Sequence, residues 1–139
     1  MNIIIRQSKE DDLNFILASW IKSSYSNITG YRERFGVYHK GMESIIRNKI
    51  KNGQFLVYIA CLDDDPDFII GYGVFGIDYT LHFVFTKQAF KKMGVCKKIM
   101  QNFYKSKKEI LTSFWCSDIN YIKKMYQVEY NRFKFFMES

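Results

Sequence analysis

A lysine-rich segment that leads to a glycine is the part of this chain best suited to chemistry. Between Leu81 and Lys108, an apolar run gives way to basic residues, to Gly94 and to a proline-free amphipathic stretch. This order predicts a strand, a tight turn and a helix. At such a helix start, several backbone N–H groups lack intrahelical partners and lie at the positive end of the helix dipole. Five lysines flank the junction: Lys87, Lys91, Lys92, Lys97 and Lys98. An anion such as a phosphate is the expected ligand.

The same segment also has a purely structural interpretation. Strand, loop and helix with a glycine between them form a common unit of α/β proteins, which host many unrelated functions. The glycine spacing around Gly94 matches neither the P-loop nor the dinucleotide-binding fingerprint. The segment alone therefore leaves both interpretations open.

The N-terminal part predicts a strand followed by a helix. Residues 2–6 are β-prone, and Ser8 with Asp11 resembles a capping box. Apolar residues then recur at helical spacing, namely Leu13, Ile16, Leu17, Trp20 and Ile21. Residues 23–41 are predicted to form a long loop, whose aromatic and basic side chains suit either a substrate cleft or a cover over the core.

The middle and the end of the chain predict further helices and strands. A second helix is expected around Met42 to Ile50, and residues 54–62 and 68–77 form a hairpin about an aspartate-rich turn. That turn is expected to be solvated rather than metal-binding. Residues 79–86 predict the next strand, and a helix begins near Val95. The remaining predicted elements are a strand at residues 110–116, a helix at 121–126 and a last strand at 133–137.

Length and composition indicate one domain spanning residues 1–139. Hydrophobic residues make up 47% of the chain, which is enough apolar material for one core. The sequence has no proline-rich or glycine-rich linker that would divide it. No apolar run approaches the roughly 18 residues of a membrane-spanning helix. We therefore expect a soluble, cytoplasmic protein without membrane association.

Cysteine usage and net charge limit the partners. Cys61, Cys96 and Cys116 occur singly, so we expect reduced thiols and no metal site. The net charge of +7 favours an anionic partner, which is a nucleic acid, an acidic protein or a polyphosphate cofactor.

Residues 91–96 and the order of the elements together resemble the GNAT superfamily of N-acyltransferases. The segment reads Lys-Lys-Met-Gly-Val-Cys. In the family, an arginine or glutamine, two residues, a glycine, one residue and a glycine or alanine open a helix after the central strand. Here Lys91 replaces the arginine or glutamine, Gly94 is retained, and Cys96 replaces the last small residue. The resemblance implies an α/β (α+β) fold with a mixed, mostly antiparallel central sheet flanked by helices.

The resemblance also implies a coenzyme A site and a proton donor. The main chain at Phe85 and Thr86 would pair with the pantetheine arm of acetyl-CoA. The pyrophosphate would be bound by Lys91, Lys92, Gly94, Val95, Cys96 and Lys97. Tyr126, six residues after Asn120, corresponds to the tyrosine that protonates the departing thiolate, with Tyr121 as the alternative.

The general base is less well defined by the sequence. His82 precedes Phe83 on the central strand and is predicted to point into the cleft together with Val84. The other candidates are Asp78, Glu33 and His39.

Two functions follow from these observations. The first is a coenzyme A-dependent N-acyltransferase in which an amine of unspecified size attacks the thioester, with acetyl as the expected acyl group. The sequence shows no cysteine or serine with a paired base, so nothing in it indicates a covalent intermediate. The second is a GNAT-like domain with reduced catalysis that binds nucleic acid or protein, which the excess of lysine and the two motif replacements favour.

Overall fold

The computed structural model describes residues 2–28, 30–116 and 118–137. Within these residues the strands form a single six-stranded sheet, arranged in chain order. The strands are β1 (Ile3–Gln7), β2 (Phe55–Leu62), β3 (Asp65–Gly76), β4 (Thr80–Thr86), β5 (Glu109–Thr112) and β6 (Gln127–Tyr130). Neighbours from β1 to β4 are antiparallel, and β5 is parallel to both β4 and β6.

Helices cover both faces of this sheet. They are α1 (Leu13–Ser26), α2 (Phe35–Lys51), α3 (Val95–Tyr104) and α4 (Asp118–Ile122). On one face, Trp20 of α1 and Ile46 of α2 pack in the same core as Phe83. On the other, Ile99 of α3 and Ile122 of α4 pack in the same core as Val84. The predicted fold class, a mostly antiparallel mixed sheet flanked by helices, is confirmed.

The long loop predicted at residues 23–41 is mostly helical. Helix α1 continues to Ser26 and α2 starts at Phe35, so the connection between them spans residues 27–34. Contacts between the helices explain the difference. The Tyr25 ring lies 5.1 Å from those of Phe35 and Tyr38, and the hydroxyls of Ser24 and Tyr38 are 2.8 Å apart. This packing outweighs the roughly 1 kcal/mol that each helical glycine costs.

The C-terminal prediction is also wrong. Residues 133–137 do not form a strand, because Arg132–Phe135 is a 3₁₀ turn in which the Asn131 side chain accepts a hydrogen bond from the Phe133 N–H. The last strand is β6, which directly follows the segment predicted as a helix. Phe135 is buried against Trp20 and Phe55, so its apolar character reflects a core anchor rather than a strand.

Two smaller boundaries differ as well. The predicted capping box at Ser8 is absent. Instead, the buried Asp12 carboxylate accepts hydrogen bonds from the Lys9 N–H at 2.8 Å and from the Arg6 guanidinium at 2.7 and 2.9 Å. These bonds lower the pKa of Asp12, although burial acts in the opposite direction. Strand β5 ends at Thr112 rather than at residue 116.

A β-bulge in β4 changes which face each side chain meets. Val74 pairs with Phe83, whereas Phe75 pairs with Leu81, so His82 is an extra residue on β4. The bulge places His82 and Phe83 together on the α1–α2 face, where the His82 ring lies 4.5 Å from the Phe55 ring. The prediction that His82 points to the same side as Val84 is therefore wrong.

Beyond the bulge, β4 and β5 separate. The ladder between them consists of Thr80 with Leu111 and Leu81 with Thr112, and it is extended by a hydrogen bond from the Ser113 N–H to the Leu81 carbonyl at 3.0 Å. In the part of the chain that the structure describes, no strand pairs with residues 83–86 on the β5 side. The C-terminal half of β4 thus has an open edge.

Candidate functional site

A cleft of 440 Å³ lies where the open edge of β4 meets the start of α3. Its walls come from β4, from the connection to α3, from the first turn of α3 and from α4. The lining residues are Val84, Thr86, Phe90, Lys91, Lys92, Gly94, Val95, Cys96, Asp118 and Tyr121. The cleft therefore contains most of the residues that the sequence predicts to bind a cofactor.

The entrance to α3 presents unpaired backbone N–H groups to this cleft. Gly94 precedes the helix in the left-handed conformation, with φ of 79°. The first intrahelical bond runs from the Lys98 N–H to the Gly94 carbonyl at 3.0 Å. The N–H groups of Val95, Cys96 and Lys97 lie before it and have no carbonyl one turn earlier to bond. Together with the helix dipole they favour an anion.

The five lysines of the predicted cluster are divided by the fold. Lys91 and Lys92 line the cleft. The Lys87 ammonium lies over the rings of Phe15 and Phe68, at 5.1 and 4.7 Å from their centres, and Lys98 donates to the Ile3 carbonyl. Lys97 is exposed and is not among the residues that line the cleft.

The open edge of β4 offers main-chain groups from alternate residues. The Lys87 N–H bonds to the Ile70 carbonyl at 2.9 Å, and Phe85 pairs with Tyr72. Because backbone groups alternate along an antiparallel strand, those of Val84 and Thr86 face away from β3 and into the cleft. Phe85 directs its carbonyl toward Gly71 and packs its ring on Phe15 and Tyr72.

A buried histidine and serine lie at the point where β4 and β5 separate. The His82 Nδ1 is 2.7 Å from the Ser113 hydroxyl oxygen, and both side chains are at least nine-tenths buried. Burial lowers the pKa of His82, Asp78 opposes this, and Lys49 and Lys134 add to the decrease, so that the pKa is about 4. The imidazole is therefore neutral at pH 7 and able to accept a proton.

His82 and Ser113 line a second cavity, of 380 Å³, on the α1–α2 face. The first cleft and this cavity meet β4 at adjacent residues, Val84 on one face and Phe83 on the other. Phe114 packs against the cores on both faces, so it lies between them. Since the β4–β5 ladder ends at Leu81 and Thr112, no backbone pairing separates the two spaces beyond that point.

Comparison with known proteins supports the fold on structural grounds alone. No protein-family model matches the sequence, and no curated protein matches it. Solved structures do match. A Pyrococcus furiosus protein described as an acetyltransferase superposes with a TM-score of 0.60 at 10% identity, over 94% of this chain and 82% of the other. A Clostridium difficile 630 protein described in the same way gives 0.59 at 15% identity, over 94% and 95%.

A third matching structure contains a ligand. It is a Clostridium acetobutylicum protein described as an acetyltransferase and solved with acetyl-CoA, with a TM-score of 0.55 at 11% identity, over 94% of this chain and 80% of the other. The chain has the GNAT fold. At these identities the similarity establishes the architecture and leaves the chemistry to the residues of this chain.

Cys96, which replaces the glycine or alanine of the family motif, lines the cleft. Burial, together with the nearby Asp118 and Cys116, raises the pKa of Cys96 to about 12. The thiol is therefore neutral at pH 7 and a poor nucleophile. All three cysteines are free.

The two candidate tyrosines occupy different positions. Helix α4 ends at Ile122, so Tyr126 lies in the turn before β6 rather than on a helix. It is buried, its ring is 5.9 Å from that of Tyr104, and burial together with the nearby Cys96 raises its pKa. Tyr121 is partly exposed and lines the cleft.

The other candidate bases lie outside both spaces. Asp78 forms an ion pair with Lys134 at 3.3 Å, and its pKa is lowered by its hydrogen bonds to Thr80 and Lys134 in spite of burial. His39 lies on α2 at 3.6 Å from Glu43, and Glu33 belongs to the connection between α1 and α2. None of the three is among the residues that line the cleft or the second cavity.

Sequence reasoning missed Ser113 and Asp118 as site residues. It placed Val84 in the cleft but gave it no binding role, because its exposed main chain becomes evident only when β5 is seen to diverge. Ser113 gains its partner only through the bulge at His82. Asp118 has the signature of a helix-start residue, which conceals its position in the cleft.

Two broader features complete the description. No helix among the described residues is long and apolar enough to cross a membrane. Over the same residues, no three histidine, cysteine or acidic side chains come together in a way that would hold a metal ion.

Proposed function

We propose that this protein is a coenzyme A-dependent N-acyltransferase that uses acetyl-CoA as its acyl donor. The observation that carries the proposal is the conjunction of two features in one cleft, namely unpaired N–H groups at the α3 start and an open strand edge on β4. The first suits a pyrophosphate and the second suits an amide-containing chain. Coenzyme A has both groups in one molecule.

The cofactor is proposed to lie along the cleft from α3 to the bulge. Backbone N–H groups of Val95, Cys96 and Lys97 would bind the pyrophosphate, with Lys91 and Lys92 adding positive charge. The pantetheine amides would pair with the main chain of Val84 and Thr86, in place of the pair at Phe85 and Thr86 that the sequence suggests. The acetyl-CoA complex of the Clostridium acetobutylicum protein supports this choice of ligand.

The reaction is proposed to be a direct transfer. The nitrogen of a neutral amine attacks the thioester carbonyl, a C–N bond forms, and the C–S bond breaks. The amine loses one proton and the departing thiolate gains one. The Cys96 thiol in this cleft is neutral at pH 7 and therefore a poor nucleophile, so the proposal includes no covalent intermediate on Cys96.

The proton from the amine is proposed to pass to His82 through Ser113. Their hydrogen bond of 2.7 Å lets the serine hydroxyl give its proton to Nδ1 as it takes one from the amine. This route keeps His82 as the base, although the ring lies on the face opposite Val84. General bases contribute typically about 100-fold or more to the rate.

Acetyl-CoA binding tests the proposal directly. At 100 times its dissociation constant, a ligand that binds only the folded state adds about 2.7 kcal/mol to the free energy of unfolding. We expect thermal melts with saturating acetyl-CoA to shift upward by several degrees, and thiol release to follow when an accepted amine is added. The absence of a shift at millimolar acetyl-CoA, combined with salt-sensitive binding of DNA or RNA, would instead favour a binding module with an anionic partner.

Phenylalanine substitutions separate the two tyrosines. Tyr126 is proposed to protonate the departing thiolate, because it lies near the cleft residue Cys96 and a phenol is protonated at neutral pH and can donate that proton. We expect Tyr126→Phe to lower kcat about 100-fold with little change in acetyl-CoA affinity. Single-turnover thiol release measures this. A larger loss in Tyr121→Phe would transfer the role to Tyr121.

A further inference from the structure

The second cavity has a distinct chemical character. Its walls are largely aromatic and include Phe83, Phe114 and Phe135. At its exposed side, the Trp115 and Tyr130 rings lie 5.6 Å apart and remain 46% and 45% exposed. Large aromatic side chains that are half exposed around one concave space are typical of a site for a flat apolar group.

The charge of this cavity is equally distinctive. Among the described residues that line it, Arg132 carries the one formal charge, since His82 is neutral, and no carboxylate is present. Arg132 is exposed, and its guanidinium lies 5.1 Å from the centre of the Phe133 ring. Such a site repels polycations and offers a planar pair of donors to a carboxylate.

We infer that this cavity holds the acyl acceptor and that the acceptor is a small primary amine bearing an aromatic ring and a carboxylate. This inference rests on the proposed N-acyltransferase function and adds the substrate class to it. The amine lies toward the buried Ser113, the ring lies between the aromatic walls, and the carboxylate meets Arg132. A volume of 380 Å³ falls in the range of small-molecule sites, about 300–1,000 Å³.

The position of Ser113 brings such an amine to the thioester. The serine follows the last paired residue of β5, at the place where the two strands separate. A thioester that runs along the open edge of β4 ends at that same gap. An amine hydrogen-bonded to Ser113 then reaches the carbonyl without crossing a backbone ladder.

The apolar walls and Arg132 also prepare the nucleophile. Desolvation and a nearby positive charge both disfavour the ammonium form, so they lower the pKa of the bound amine. A larger fraction of the amine is then neutral at pH 7. As the N–C bond forms and the C–S bond breaks, its proton moves to Ser113 and on to His82.

Two matched pairs of amines test the inference. 4-(Aminomethyl)benzoate and benzylamine differ only in a carboxylate, as do phenylalanine and phenethylamine, and spermidine represents the polycations. We expect at least one carboxylate-bearing amine to bind about tenfold more tightly than its partner, measured by calorimetry with coenzyme A present. The same amine should release thiol from acetyl-CoA, and spermidine should not.

Arg132→Gln should abolish the difference in affinity between the two amines of the pair. Arg47→Gln, at an arginine that pairs with Glu43 on α2, should retain it.

Failure of the inference and failure of the proposed function give different results. Preference for spermidine, or equal binding within both pairs, overturns the acceptor class even when acetyl-CoA binds and reacts. Carboxylate-dependent binding that Arg132→Gln removes, in a protein that acetyl-CoA does not stabilise, supports the cavity assignment and overturns the acyl transfer.

Discussion

Gly94→Val is expected to abolish stabilisation by acetyl-CoA. Gly94 has φ of 79°, in the left-handed region, where an L-residue costs roughly 1–2 kcal/mol. Among the described residues, chain neighbours aside, no atom lies within 4 Å of a Cβ placed there, so the fold can accommodate the side chain itself. It would occupy the space beside the N–H groups of α3, and the backbone would tend to rotate those groups away. Thermal melts with and without acetyl-CoA measure the loss.

Gly53→Val is a matched control for this experiment. Gly53 has φ of 75°, and a Cβ there would likewise have no atom within 4 Å from the described part of the chain beyond its two neighbours. It lies just after α2, away from the cleft. We expect it to lower the melting temperature by a comparable amount through the same backbone strain, yet to keep the full shift with acetyl-CoA. Equal acetyl-CoA affinity in Gly94→Val and the wild type would mean that the α3 loop is only a connector.

His82→Gln and Ser113→Ala are expected to lower kcat by about 100-fold or more each. The glutamine retains a polar side chain but has no basic nitrogen at neutral pH, and the alanine interrupts the path of the proton. Since neither side chain lines the proposed coenzyme A cleft, we expect acetyl-CoA to stabilise both variants as much as the wild type. Because the two residues act as one unit, the double variant should be little worse than either single variant. An unchanged kcat in both would exclude the relay.

The pH dependence provides an independent measure of His82. Its pKa in the folded protein, about 4, lies below the ordinary 6.5, so on acidification the unfolded chain takes up the proton first. His82 therefore contributes full stability above pH 6.5, and this contribution is lost as the pH falls through 4. We expect the slope of the unfolding free energy against pH, between pH 4 and 6.5, to be smaller in His82→Gln.

The contribution of neutral His82 to kcat should persist at about pH 5, where an ordinary histidine is mostly protonated.

The bulge at His82 connects these expectations. Without the bulge, side chains would alternate regularly along β4, and His82 would share a face with Val84. With it, His82 lies beside Ser113 in the second cavity, the proposed acceptor site, while Val84 and Thr86 keep their main chain in the cleft proposed to bind coenzyme A. Strand β4 thus supplies the proposed binding edge at Val84 and Thr86 and, on the α1–α2 face, the proposed base His82.

Local patterns in the sequence determined a large part of this protein. The order of most strands and helices and the anion-favouring start of α3 follow from short-range periodicity and from Gly94 with its neighbouring lysines. These features depend on residues close together in the chain, so their physical causes can be read there. The mixed, mostly antiparallel sheet is instead what the resemblance to the GNAT superfamily implies.

Tertiary structure alone decided the rest. Which lysines face the cleft depends on contacts of Lys87 with Phe15 and Phe68, and the helical ends of α1 and α2 depend on Tyr25 and Tyr38 packing across the pair. The face that His82 meets depends on the register between β3 and β4. The open edge depends on where β5 departs from β4. Register and strand divergence arise from hydrogen bonds and packing between segments far apart in the chain. The alternation of side chains within one strand does not specify which residues of the neighbouring strand they pair with.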